Sequence, residues 1–388
     1  GQQPRSAEEE DGRQLSAPRT MLPFVFASDP SALGSEPVVF VDGSPLSPDV
    51  NRSGDLHLSH WPGNRTPVGL KRDLSTDIAF ALLELDASER EGLLADKRAL
   101  VLNHLDTDGV CALFVLLRPE AARGARELLG QVAAAGDFFA APSERAVAVD
   151  AALRNLTDPG RSAFAAELER DGIQGDARRA RLALRSLDVL GDMLQDESAH
   201  AELWRTDLEQ HRADARALEA AAFDDLVYLD FGVWTARPDS AALFDPGRHA
   251  FLGDGRLDRA LLVGPTPEGT TARFVLGTRS FFDVVSRPAS PRPDLDALTR
   301  ALDAAEEAAG GAPDGCAWRA HGQHTPSPEL WFGTEGLPLF PERAGAHLAP
   351  SRLDPIAIKA HVLDAVRATW TLPDDDDEAE DGEDIFAV

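Results

Sequence analysis

Asn103-His104-Leu105-Asp106-Thr107-Asp108-Gly109 sets one imidazole and two carboxylates at alternating positions and closes the run with a glycine. Crowded at one turn, three such groups repel one another unless they share a cation. The chemistry they point to is metal binding. The competing reading is a solvated Asx-rich turn in which Gly109 supplies the positive φ. The flanks favour a site. Ala99-Leu100-Val101-Leu102 ahead of the motif is short, apolar and β-prone, and Val110 to Leu117 behind it is apolar enough for a buried helix. The order is strand, polar turn, helix, and in an open α/β sheet ligands bind at the carboxyl ends of the strands.

His-x-Asp-x-Asp-Gly after an apolar strand resembles the first motif of the DHH phosphoesterases. That superfamily holds nucleases, oligoribonucleases, cyclic-dinucleotide phosphodiesterases and exopolyphosphatases. The resemblance implies that His104 and Asp106 hold one Mn²⁺ and Asp108 a second, with these three residues carrying the catalysis. It rests on this motif: the chain has neither an Asp-His-His triplet nor a Gly-Gly-Gly-His run. A divergent branch of the superfamily is the expectation.

Two dications about 3.5–4 Å apart need more ligands than this motif supplies. Asp137, in Gly136-Asp137-Phe138-Phe139, is a candidate bridging ligand or a helix-capping residue. Asp230 ends the apolar run Leu226 to Leu229 and precedes Phe231-Gly232, as a cleft ligand or a turn former. His249 is the preferred later histidine. Arg279 and Arg287 could clamp phosphate. His321 and His324 form a His-x-x-His pair, read either as satisfied loop histidines or, because the intervening glycine permits close approach to a phosphate, as substrate-binding residues. His57 and His60 carry the same ambiguity between ligand and loop residue, with Trp61 read as a core anchor.

The elements that must position these groups form an α/β body: a mostly parallel sheet flanked by helices, with a helical insertion and a smaller C-terminal α/β part. Strands are expected at 38–41, 99–102, 226–229, 260–263, 273–277 and 281–285. Helices are expected at 67–85, 110–117, 120–134, across 160–220 and near 294–309. Residues 1–20 and 373–388 read as disordered tails. A DHH-like domain covers 21–287, the insertion lies at about 160–220, and Pro288, Pro291 and Pro293 open a C-terminal subdomain at 288–372.

A formal net charge of −28 repels phosphate backbones and disfavours long duplex nucleic acid. A small phosphorylated or nucleotide substrate is tolerated. No stretch is long and apolar enough for a membrane span. Cys111 and Cys316 give no disulfide framework and fit a cytoplasmic protein, with Cys111 a small core residue. The acidic run from Asp374, tipped by Ile385-Phe386, could recruit a protein partner. The chain starts at Gly1, and Met21 is a candidate natural start. Two further functions compete: a catalytically degenerate DHH-like scaffold, and a haloacid-dehalogenase-type phosphatase built on Asp106-Thr107-Asp108-Gly109-Val110. The last needs a later lysine, and Lys359 alone follows the motif.

Overall fold

The computed structural model describes residues 22–43, 52–238 and 243–370. The expected tails at 1–20 and 373–388 lie outside the described residues. Four short parallel strands open the fold: β1 (Phe24–Phe26), β2 (Val39–Val41), β3 (Leu56–Leu58) and, after helices α1 (Ser75–Glu84) and α2 (Ala87–Leu94), β4 (Leu100–Leu102). Their order in the sheet is β1-β4-β2-β3. Val39, Phe40 and Val41 are wholly buried, as parallel strands covered on both faces must be. Register brings the strand ends level: Val39 pairs with Leu100 and Val41 with Leu58.

Helix α3 (Thr107–Leu117) follows β4 at once. The Asp106 carboxylate caps it by accepting from Gly109 N at 2.8 Å. Every residue from Thr107 to Val115 is buried, so the helix, apolar after Thr107 and Asp108, runs through the core. Helices α4 (Pro119–Gly124), α5 (Arg126–Phe138), α6 (Glu144–Leu156), α7 (Ala163–Arg170), α8 (Gly175–Gln195) and α9 (Ala201–Ala220) come next. The expected helical stretch across 160–220 is thus three helices. The helix expected from 67 begins only at Ser75, after a 3₁₀ turn at Val68–Leu70.

A second sheet of six strands has the order β5-β6-β7-β8-β10-β9. Its members are β5 (Ala222–Leu226), β6 (Phe231–Thr235), β7 (Arg259–Thr266) and β8 (Gly269–Leu276), with the short helix α10 (Arg248–Phe251) before β7. Helix α11 (Leu295–Ala308), β9 (Ala317–Ala320), β10 (Glu329–Gly333) and α12 (Pro355–Arg367) complete the chain. In this sheet β6 and β7 alone pair in parallel. Leu298, Leu302, Ile358 and Val362, from α11 and α12, cover one of its faces. The sheet takes strands from both sides of residue 288.

Two local expectations need correction. Val227–Leu229 is a 3₁₀ turn, and the strands lie on either side of it. Residues 281–285 form no strand. They are a loop whose Phe282 is buried in the core of the first sheet, while Phe281 and Val284 pack against it. That loop ties the second sheet to the first: Asp283 N donates to His60 O at 2.7 Å, and Val285 N to Asp73 Oδ1 at 2.8 Å. No helix among the described residues is long and apolar enough to cross a membrane.

Candidate metal centre

Three neighbouring strands of the first sheet end in chemistry-bearing residues: β2 in Asp42, β3 in Ser59-His60, β4 in Asn103-His104. The turn after β2 is tight. Asp42 and Gly43 both adopt positive φ, at 60° and 67°. A Cβ on Gly43 would stand 2.2 Å from Asn103 Oδ1, so only glycine fits beneath the β4 loop.

Side chains from these ends converge. His104 Nε2 lies 2.7 Å from Asp106 Oδ2 and 3.2 Å from Asp42 Oδ2. His60 Nε2 lies 2.9 Å from Asp137 Oδ2, 3.7 Å from Asp108 Oδ2 and 3.8 Å from Asp42 Oδ1. Two triads result, Asp42–His104–Asp106 and Asp42–His60–Asp108, each with its ligand atoms within 4.8 Å of one another. Asp42 belongs to both and turns one oxygen to each.

Second-layer contacts aim these groups. His60 Nδ1 is 2.5 Å from Asp73 O and His104 Nδ1 is 2.7 Å from Asn103 Oδ1. Each Nδ1 donates to a carbonyl oxygen, which leaves each Nε2 facing the carboxylates. Asp108 Oδ2 accepts from Ser75 N at 2.7 Å, and its Oδ1 from Thr76 N and Thr76 Oγ1 at 2.9 and 2.6 Å. The amino end of α1 thus fixes this carboxylate. Ser75 Oγ donates to Asp42 Oδ1 at 2.7 Å.

Asp42 Oδ2, His60 Nε2 and Asp137 Oδ2 are buried without a hydrogen-bond partner among the described residues. His60 and Asp137 are close, yet misaligned for a hydrogen bond. Buried polar atoms are nearly always satisfied; here two of the orphans face each other and the third, Asp42 Oδ2, faces His104, which marks a place for positive charge. Without a cation, protons take that place. Burial would lower the His60 imidazole, but Asp137, Asp108 and Asp42 outweigh it and push it to about 10. His104 is raised against its burial by Asp106 and Asp42. Burial, with the Asp42 charge, pushes Asp108 to about 7, and burial raises Asp137. Burial would also raise Asp42, but His104, His60 and the Ser75 hydroxyl bring it to about 2.

A cleft of about 300 Å³ opens onto this cluster and is lined on the near side by His104, Asp106 and Asp137. Trp61, Phe139, Phe282 and Phe340 give it aromatic walls. Phe282 stacks on His60 at 4.2 Å with the rings 9° apart, and Trp61 meets His104 edge-on at 4.5 Å. Asp150, Arg154, His249 and Glu342 form the far wall.

The structure thus brings His104, Asp106, Asp108 and Asp137 together. His249 lines the same cleft but approaches Asp150 and Glu342, at 3.3 and 3.5 Å, and belongs to neither triad. Asp230 lies elsewhere, a turn residue at φ 48° that accepts from Ser290 Oγ. Arg279 covers the Phe138 ring at 4.5 Å, and Arg287 donates to Arg256 O, neither lining the cleft. His321 holds a loop through Leu337 O and Glu329 N, and His324 is exposed away from the cleft. His57 is buried in β3 and accepts from Arg65 N. Lys359 pairs with Asp224 on β5, so the lysine that a dehalogenase-type site requires is not in the cleft. Sequence reasoning passed over Asp42, whose setting of apolar strand, acid and glycine matches that of the motif itself, and left His60 undecided. Asp150, Arg154 and Glu342 carried no local signal.

A family model matches residues 20–377 of the chain. The chain belongs to a family of unknown function, DUF6687. The DUF6687 match spans both sheets and every residue of the cluster and cleft. No curated protein matches the chain. No solved structure matches it either.

Proposed function

We propose that the chain is a metal-dependent phosphoesterase of DHH-like type that acts on a small phosphodiester or short oligonucleotide. One observation carries this reading: two ligand triads share a buried carboxylate, Asp42, and three buried atoms of the cluster have no hydrogen-bond partner among the described residues. Asp42, His104, Asp106, His60 and Asp108 would hold Mn²⁺ or Mg²⁺, with Asp137 beside His60. Bound there, the metal pair supplies an acidic water as nucleophile and stabilises charge on the phosphoryl oxygens. The chain's own part is to fix the ligands: Asp108 by the end of α1, both imidazoles through their Nδ1 contacts. A scaffold with a lapsed site has no need to surround His104, Asp106 and Asp108 with further acids and a histidine.

Cleft size and charge support a small substrate. A space of about 300 Å³ suits a few groups of a ligand, and a net charge of −28 repels long polyanions. Two unpaired cysteines, Cys111 and Cys316, support a reducing, cytoplasmic setting.

Asp42→Asn is the decisive variant. Asparagine keeps the shape, tolerates the positive φ of position 42, and removes the shared charge. The expected result is a folded protein that has lost its tightly bound Mn²⁺ and its Mn²⁺-dependent hydrolysis of an aryl phosphodiester. Equal metal content in both proteins would place the metal elsewhere and sink the reading.

A further inference from the structure

The far wall of the cleft holds a cation that the two triads do not use. Arg154 stands on α6, one turn after Asp150, and its Nε donates to Asp150 Oδ2 at 2.8 Å. Asp150 is fully buried, and its other oxygen accepts from Thr107 Oγ1 at 2.6 Å. Thr107 lies between Asp106 and Asp108. One carboxylate therefore fixes the guanidinium relative to the metal-ligand loop. Only Nε of Arg154 is hydrogen-bonded among the described residues, and the side chain is 42% exposed where it lines the cleft. A planar fork anchored at one nitrogen and open at its other donors matches the oxygens of a phosphate. His249 Nε2, 3.3 Å from the same Asp150 oxygen, shares that carboxylate, so Asp150 is not reserved for Arg154.

We propose that Arg154 grips a phosphate group of the substrate in the cleft that His104, Asp106 and Asp137 also line, and that Asp150 is its positioning residue. This rests on the phosphoesterase reading of the same cleft. Glu342, 40% exposed on the same wall, narrows the ligand class. Its carboxylate interacts with Arg154 as well as His249 and offsets part of the positive charge, so the wall suits a single phosphate rather than a polyphosphate chain.

Calorimetric titration of the full chain with Mn²⁺, then with inorganic phosphate, tests the assignment in wild type, Arg154→Gln and Arg154→Lys. All three are expected to bind Mn²⁺ alike. Phosphate affinity is expected to fall about tenfold or more in Arg154→Gln, and less in Arg154→Lys, which keeps the charge and loses the fork. Equal phosphate affinity in wild type and Arg154→Gln, with Mn²⁺ bound to both, would overturn the proposal and leave the metal reading standing. If wild type binds no Mn²⁺, the metal reading fails, and phosphate titration of the metal-free chain decides the grip. A loss in Arg154→Gln then upholds it; equal binding, or none, overturns it. Because Arg154→Gln unpairs a buried acid, its fold is checked by circular dichroism. Should it unfold, Arg154→Lys carries the comparison, and unweakened phosphate binding there overturns the proposal.

Discussion

At the scale of single residues, the centre is a problem in proton accounting. His60, at about 10, and His104 are imidazolium in the metal-free protein at neutral pH, and Asp108, at about 7, is half protonated. A metal takes the lone pairs that those protons occupy, so binding must expel them. The sign follows: metal affinity rises with pH while Asp108 and then the imidazoles deprotonate. At pH 7 both imidazoles should give up a proton on metal binding, with a further contribution from Asp108 and Asp137. Titration of Mn²⁺ in buffers of different ionisation enthalpy measures that release. A pH-independent affinity with no proton release would mean that the ligands were already bare.

At the scale of elements, Gly136 on α5 decides how closely that helix approaches the motif. A Cβ there would lie 2.5 Å from Thr107 Cβ, and Thr107 is buried and tethered to Asp150. Alanine gains about 1 kcal/mol of helix propensity over glycine, whereas overpacking a tight core costs about 1–3 kcal/mol. The clash is expected to win. Gly136→Ala should lower the unfolding temperature slightly and weaken Mn²⁺ binding about tenfold by displacing the Asp106–Asp108 turn; thermal melts and metal titration report the two effects separately. The same packing explains which elements were legible in the sequence. β2, β4, β7 and α3 announce themselves through runs of buried apolar residues. β5 does not, because Ala222 to Asp225 are exposed at a sheet edge. The apolar run at 281–285 imitates a strand, but its rings are spent on His60 and Trp61. His104, Asp106 and Asp108 were legible because one turn holds them all. Asp42 and His60 enter the centre through strand pairing between distant segments, which no local spacing encodes.

At the scale of the whole molecule, a buried charge network holds the far wall in place. Glu329 on β10 is fully buried and accepts from Arg248 and from Arg273 Nε, the latter at 2.7 Å. Both arginines also donate to Pro341 O, at 3.0 and 2.8 Å. Arg248 precedes His249 and Pro341 precedes Glu342, so this one carboxylate locates two residues of the cleft. Removing one partner of a buried ion pair costs about 3–5 kcal/mol, because the remaining charge is left uncompensated. Glu329→Gln should lose stability of that order in denaturant titration. A loss below about 1 kcal/mol would show that Asp245, 2.9 Å from Arg273, suffices alone.

The strand order β1-β4-β2-β3 also imposes a timetable on the growing chain. As a ribosome extends the polypeptide, Asp42 and His60 emerge early and wait. The slot between β1 and β2 stays open until β4 arrives, about 60 residues after β2, or roughly 3–12 s at about 5–20 residues per second. During that interval the flanks of β1 and β2 offer unpaired backbone to any passing strand. Insertion of β4 closes the slot and delivers His104, Asp106 and Asp108 in the same event. Both triads are therefore completed by the last strand to enter the sheet, with Asp137 on α5 following, and a chain stalled before that strand holds no part of either triad beyond Asp42 and His60.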